Sequence, residues 1–215
     1  MVDSLTKERF LQALERVLER LEGSADYLSG LDAAMGDGDF GISMTLGSRG
    51  VRQVMGDLAG QDIGGMVARA GMAFNGAAPS TIGALFAIGS MRGGKEAKGH
   101  QELDLPLLAR MARAAETAIM EKGKAQRGDK TLLDSLGPAA DALEAAAAEG
   151  RGLAEGLASA VEAARAGVRA TIEMKSKSGR GSWIAERTVG HQDPGATAIL
   201  LMLEALSDFV STTQN

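Results

Sequence analysis

The chain has 215 residues, a net charge of −5, 45% hydrophobic residues and no cysteine. The acidic balance argues against a nucleic-acid-binding surface, and the missing cysteines exclude disulfides and thiolate metal sites. Neither a secretory leader nor an uninterrupted apolar stretch of about 18 residues is visible, so we expect a cytoplasmic protein that does not bind membranes.

Apolar residues recur at steps of three and four along almost the whole chain, which predicts amphipathic helices. The first begins near Leu5 and, with an adjustment near Gly23, continues to Leu31. Later helices are predicted at 42–58, 63–74, 79–91, 103–122, 131–148, 153–174 and 196–210. No run of five or more residues alternates with period two. The sequence therefore predicts an all-α fold of about eight helices joined by short loops.

Proline and glycine are expected to mark several helix ends. Pro79 suits the first turn of the fourth helix, and Gly93 with Gly94 should end it. Asp193 and Pro194 are predicted to be the N-cap and first residue of the last helix.

The segment 175–192 is too long for an ordinary bundle loop. Its first nine residues contain three cations, three hydroxyls, two glycines and the only tryptophan. Such donors suit phosphate oxygens, and a flexible basic linker is the alternative.

Three aspartates, Asp32, Asp37 and Asp39, lie within eight residues after the first predicted helix, interspersed with glycines that permit a tight turn. Carboxylates this close repel one another unless water or a cation separates them. Hard oxygen ligands on a short loop suit Mg²⁺, Mn²⁺ or Ca²⁺. A solvated turn between two helices is the alternative.

Further polar loops open other helices. Ser80 and Thr81 could bind an anion at a helix N-terminus or act only as caps. In the loop 128–131, capping explains Thr131 and could explain Asp129, and Lys130 could be a surface charge. His191 could be a packed or capping residue, a phosphate donor or a proton shuttle. Because alternate connections of an up-and-down bundle share one end, these loops and the aspartates should converge on a site for a Mg–nucleotide.

Several motifs, taken together, resemble the nucleotide-binding L subunits of dihydroxyacetone kinases. They are the aspartate loop 32–41, Gly-Asp-Lys-Thr-Leu-Leu-Asp at 128–134, Gly-Arg-Gly-Ser-Trp-Ile-Ala-Glu-Arg at 179–187 and Gly-His-Gln-Asp-Pro-Gly-Ala at 190–196. The resemblance spans nearly the whole chain, in order and with matching spacing. It implies a single nucleotide-binding domain over 1–215, folded as an eight-helix antiparallel barrel with Mg²⁺ and ADP or ATP at one end.

The resemblance also implies residue roles. Asp32, Asp37 and Asp39 would hold one or two Mg²⁺ ions, and Arg180 would act in catalysis by stabilising the transferred phosphoryl group. The nucleotide would contact Phe40, Gly41, Ile42, Ser43, Ala78, Pro79, Ser80, Thr81, Gly123, Leu132, Arg180, Asp193, Pro194 and Gly195.

Partners follow from the same resemblance. A separate K subunit would hold the ketose, and a phosphotransferase-system M protein would rephosphorylate ADP while it stays bound. The chain could also form a homodimer.

Two departures from the family matter: Phe40 replaces a common histidine, and the turn 75–81 is rebuilt. The alternatives are therefore an ATP-dependent kinase for another ketose such as a tetrulose, a nucleotide-loaded regulatory module, and a helical protein that binds a structural ion.

Overall fold

The computed structural model describes residues 4–212, apart from the side chain of Arg180. Helices dominate this range: α1 Lys7–Gly23, α2 Ala25–Ala33, α3 Phe40–Leu58, α4 Ile63–Ala77, α5 Thr81–Glu96, α6 Leu105–Gly123, α7 Leu133–Ala148, α8 Leu153–Ala170 and α9 Pro194–Thr212. Short 3-10 helices cover Thr171–Glu173 and Arg180–Thr188. The all-α prediction is confirmed.

The helices form a closed ring. From α3 to α9 each helix packs against the next, α1 packs against α3, and α9 packs against α1. Counting α1 and α2 as one broken helix, the ring has the eight predicted members. Aliphatic and methionine side chains fill its interior, including Leu21, Met44, Met66, Leu107 and Leu157. Helix α9 is long and apolar enough to span a membrane by composition, but here it completes the ring.

A two-stranded ribbon was not predicted. Strand β1, Ser4–Thr6, pairs antiparallel with β2, Glu102–Asp104, and the pair Leu5 and Leu103 is buried. Three residues are too few for an alternating pattern to be visible in the sequence. The ribbon joins the segments that precede α1 and α6, at the end of the ring opposite to the loops that follow α2 and α6.

Some predicted helix ends were wrong. Helix α5 continues through Gly93 and Gly94 to Glu96. These glycines permit close packing: a Cβ on Gly94 would lie 2.5 Å from the Gly64 oxygen, and one on Gly93 would lie 3.0 Å from the Met111 oxygen. Pro79 lies before α5, whose N-cap is Ser80, with its hydroxyl accepting the Gly83 N–H at 3.1 Å.

Helix α7 begins at Leu133, two residues later than predicted, because the preceding loop is a turn organised by Asp134. Its carboxylate accepts the backbone N–H groups of Thr131, at 2.8 Å, and of Gly128. Gly128 and Lys130 adopt positive φ values of 88° and 60°. Helix α8 ends at Ala170, before the predicted Met174, where the chain tightens into a 3-10 turn.

Candidate functional site

Four connections meet at one end of the ring, as the alternation of helix directions predicted. They are the loops after α2, α4 and α6 and the long connection between α8 and α9. Together they enclose a cavity of about 280 Å³. It is lined by Asp32, Met35, Gly36, Asp37, Asp39, Phe40, Ser43, Ser80, Thr81, Ile82, Leu85, Ile119, Gly123, Ala125, Lys130, Thr131, Leu132, Leu133, Ser176, Ser178, Gly179, Gly181, Asp193, Pro194 and Gly195.

The three aspartates form an acidic corner of this cavity. One carboxylate oxygen from each of Asp32, Asp37 and Asp39 lies within 4.8 Å of the other two. This set of hard oxygen donors fits Mg²⁺ or a similar divalent cation, which would also remove their mutual repulsion. Space around the Asp32 carboxylate is limited, since a Cβ on Gly36 would lie 2.7 Å from its Oδ1.

Helices α2 and α3 approach closely beneath the acidic corner. The Phe40 N–H donates to the Asp32 Oδ2 at 3.3 Å, and the Gly41 N–H donates to the Ser29 hydroxyl at 3.2 Å. A Cβ on Gly41 would overlap the carbonyl oxygen of Ala25. Gly41 is therefore required where α3 begins, because only glycine lets the two helices bring Asp32 and Asp39 together.

The cavity has an apolar wall away from the acidic corner. Ile82, Leu85, Ile119 and Leu132 line it, and the first two come from α5 while Ile119 comes from α6. At the end of α6, a Cβ on Gly123 would lie 3.1 Å from the Leu85 Cδ2. These apolar residues, here called the apolar slot, lie in the same cavity as the cation-binding corner, so the cavity is suited to a ligand with one apolar part and one anionic part.

Asp193 caps α9 and lines the cavity. Its Oδ2 accepts the Ala196 N–H at 2.7 Å, as expected of the predicted N-cap. Burial raises the pKa of Asp193 to about 7, helped by the nearby Asp134 charge and opposed by hydrogen bonding and by the Lys130 charge. The carboxyl group therefore holds its proton over much of the acidic pH range.

The raised pKa of Asp193 should make stability pH-dependent. In the unfolded chain an aspartate loses its proton near pH 4, but the folded protein keeps it to about pH 7. The free energy of unfolding should therefore fall between about pH 4 and 7, by at most about 4 kcal/mol. Asp193→Asn keeps the acceptor oxygen and should lose this dependence, as measured by urea unfolding without Mg²⁺ at several pH values. Parallel curves for both proteins would contradict the assignment.

The Asp141 carboxyl group does not titrate in this window. The Arg127 and Arg113 side chains lower the pKa of Asp141 to about 2. A depressed pKa adds stability that is lost only as the pH falls below about 4. These ion pairs belong to a network around the buried Glu116. Through Arg127, the network holds the loop after α6 in place.

The structure brings most of the predicted nucleotide residues into one cavity: Phe40, Ser43, Ser80, Thr81, Gly123, Leu132, Asp193, Pro194 and Gly195 line it. Gly41, Ile42, Ala78 and Pro79 lie outside the lining. The Ile42 side chain is 60% exposed, and Ala78 is buried. The Arg180 side chain lies outside the described part of the chain, so its role stays a prediction.

Other lining residues were missed or misread from the sequence. Lys130 could be a surface charge by sequence, but its side chain is buried. The hydroxyl residues Thr131, Ser176 and Ser178 line the cavity, whereas His191 is exposed and its backbone oxygen accepts a bond from Lys130. The position of Lys130 in a loop between two polar residues gives no periodicity from which its burial could be predicted.

The sequence is similar to those of known proteins. A family model described as the DAK2 domain matches residues 34–208. The chain is 31% identical over 204 residues to the ADP-binding subunit DhaL of PEP-dependent dihydroxyacetone kinase from Escherichia coli, covering 95% of this chain and 97% of that protein. It is also 31% identical to a D-erythrulose kinase from Mycolicibacterium smegmatis, covering 93% of this chain and 35% of that protein.

The fold is similar to that of a solved kinase. The crystal structure of the dihydroxyacetone kinase from C. freundii in complex with AMP-PNP and Mg²⁺ matches with a TM-score of 0.70 and 23% sequence identity. The match covers 92% of this chain and 33% of that one.

Proposed function

The chain belongs to the DAK2 domain family, together with the ADP-binding L subunits of dihydroxyacetone kinases, and we propose that it binds Mg²⁺ with ADP or ATP and transfers a phosphoryl group to dihydroxyacetone or another small ketose. It would act as one subunit of a cytoplasmic complex. The observation that carries this proposal is the convergence of three carboxylates and an apolar slot in one cavity.

The two parts of the cavity suit the two parts of a nucleotide. Asp32, Asp37 and Asp39 would hold one or two Mg²⁺ ions at the phosphates, and the slot bordered by Gly123 and Leu132 would take the adenine. Ser43 and Thr81 lie in the lining, where their hydroxyls could donate to phosphate oxygens. The turn 193–195 would close the nucleotide site.

Catalysis would be mainly electrostatic. Bound Mg²⁺ supplies charge neutralisation at the phosphates. The aspartates fix the cation, the apolar wall orients the base and excludes water, and Arg180 is proposed to stabilise the equatorial phosphoryl oxygens. Among the described lining residues we identify no nucleophile that would attack the phosphoryl group. This is consistent with a partner K subunit that holds the ketose. The similarity to the ADP-binding subunit of a PEP-dependent kinase supports a phosphotransferase-system M protein that rephosphorylates ADP in place.

A tetrulose is a second candidate acceptor, in an ATP-dependent reaction. It is favoured by the similarity to a D-erythrulose kinase, of which this chain spans about a third. The rebuilt turn before α5, where the Ser80 hydroxyl is engaged with Ala78 and Gly83, also departs from the family pattern at the phosphate side.

Binding and turnover can be separated experimentally. We expect calorimetry to detect ADP binding by the purified chain with Mg²⁺, and at least about 100-fold weaker binding with EDTA. Phosphorylation of dihydroxyacetone or erythrulose should require an added K-type subunit, together with either ATP or an M-type phosphoprotein. ADP binding without transfer in every combination would favour a regulatory module. Metal affinity that ADP does not increase would favour a structural ion site.

A further inference from the structure

Lys130 donates all of its side-chain N–H groups to backbone carbonyl oxygens of one segment. Its side chain is 2% exposed, and its ammonium group donates to the carbonyl oxygens of Met174 at 3.1 Å, of His191 at 2.6 Å and of Thr188. A lysine ammonium has three N–H donors. All three are used on residues of the connection between α8 and α9, so none is left for a phosphate.

This connection, here called the 174–191 segment, forms part of the cavity wall. Ser176, Ser178, Gly179 and Gly181 line the cavity. The segment is also joined to the loop after α6 by the Lys177 N–H, which donates to the Asp129 oxygen at 3.0 Å. Its internal bond from the Ser176 N–H to the Thr188 hydroxyl links its two ends. Lys130 bonds to both of these ends at once.

Two unfavourable features are retained at Lys130. A buried ammonium loses hydration, and this burial lowers the pKa of Lys130. Its φ of 60° lies in the left-handed region, which residues other than glycine seldom adopt. Three hydrogen bonds from a charged donor offset these costs. They also pair the carbonyl oxygens of Met174 and His191, whereas the Thr188 oxygen accepts the His191 N–H as well.

We propose that Lys130 is a positioning residue that holds the 174–191 segment against the loop after α6, so that the segment's serines and glycines face the phosphates of the bound nucleotide. The second half of this statement rests on the proposed function. The first half concerns the protein without ligand and can be tested independently.

Hydrogen exchange measured by mass spectrometry tests the first half. In Lys130→Met without nucleotide, amides of the 174–191 segment that are hydrogen-bonded, such as those of Ser176, Lys177 and Gly190, should exchange at least about 10-fold faster, while peptides from α1 and α8 keep their rates. Lys122→Met is the matched control. Lys122 is exposed in the last turn of α6, outside the 174–191 segment, and does not line the cavity, so the variant loses the same charge and should change these rates less than about twofold.

Calorimetry with Mg²⁺ and ADP tests the second half. Lys130→Met should weaken binding by about 10-fold or more, and Lys122→Met by less than about twofold. The proposal is overturned if the 174–191 segment of Lys130→Met exchanges at the rate of the control variant. It is also overturned if the segment exchanges faster while the ADP affinity is unchanged. If Lys130→Met does not fold, Lys130→Arg is tested in its place. Its planar guanidinium keeps the charge but cannot reproduce the three bonds, so the same changes in exchange and affinity are expected. Absence of ADP binding by the unmodified protein would instead reject the proposed function and leave the exchange result valid.

Discussion

Asp37→Asn is expected to weaken ADP binding in the presence of Mg²⁺ by at least about 100-fold. The substitution removes one of three charges whose oxygens lie within 4.8 Å of one another and leaves a neutral amide, which is a poorer ligand for Mg²⁺. Fold and helix content should not change, because Asp37 is exposed in a loop and its substitution relieves carboxylate repulsion in the protein without metal. Calorimetry with ADP at several Mg²⁺ concentrations, together with circular dichroism, measures both effects.

The control for this prediction is Asp26→Asn. Asp26 is an exposed residue in the first turn of α2, at the same end of the ring, and it does not line the cavity. The control variant loses the same charge and should bind Mg²⁺ and ADP as the unmodified protein does. Equal affinities for the two variants would reject the metal assignment of the aspartate loop and, with it, the proposed function.

Gly41→Ala is expected to lower the free energy of unfolding by about 3 kcal/mol or more. Its Cβ would overlap the carbonyl oxygen of Ala25, a backbone atom that cannot move without shifting α2. In an ordinary helix the same change stabilises the protein by about 0.5–1 kcal/mol. The sign of the effect, measured by urea unfolding, therefore reports directly on the close approach of α2 and α3.

Gly56→Ala provides the matched substitution in the same helix. Gly56 is exposed in α3, and a Cβ there would meet no atom within 4 Å. This variant should be more stable than the unmodified protein by about 0.5–1 kcal/mol. If Gly41→Ala folds, it should also weaken Mg²⁺-dependent ADP binding, since displacement of α3 separates Asp39 from Asp32. A stabilised Gly41→Ala would show that the two helices do not touch there.

Gly41 has a structural role that differs from its predicted contact with the nucleotide. The resemblance placed it among the nucleotide contacts, and the structure places it outside the cavity lining, packed against α2. Its role follows from the distance between two helices, which no local pattern in the sequence records. The same holds for Gly93 and Gly94, which were expected to end α5 and instead allow it to pack against α4 and α6.

The sequence by itself determined the helices, their alternating directions and the end of the ring at which the aspartates meet the other loops. It could do so because helical periodicity and the spacing of Asp32, Asp37 and Asp39 are local properties of the chain. Only the tertiary structure decided that Lys130 is buried and that the Asp193 carboxyl group retains its proton to about pH 7. Desolvation and close helix contacts depend on residues that are distant along the chain, and they exist only once the ring has closed.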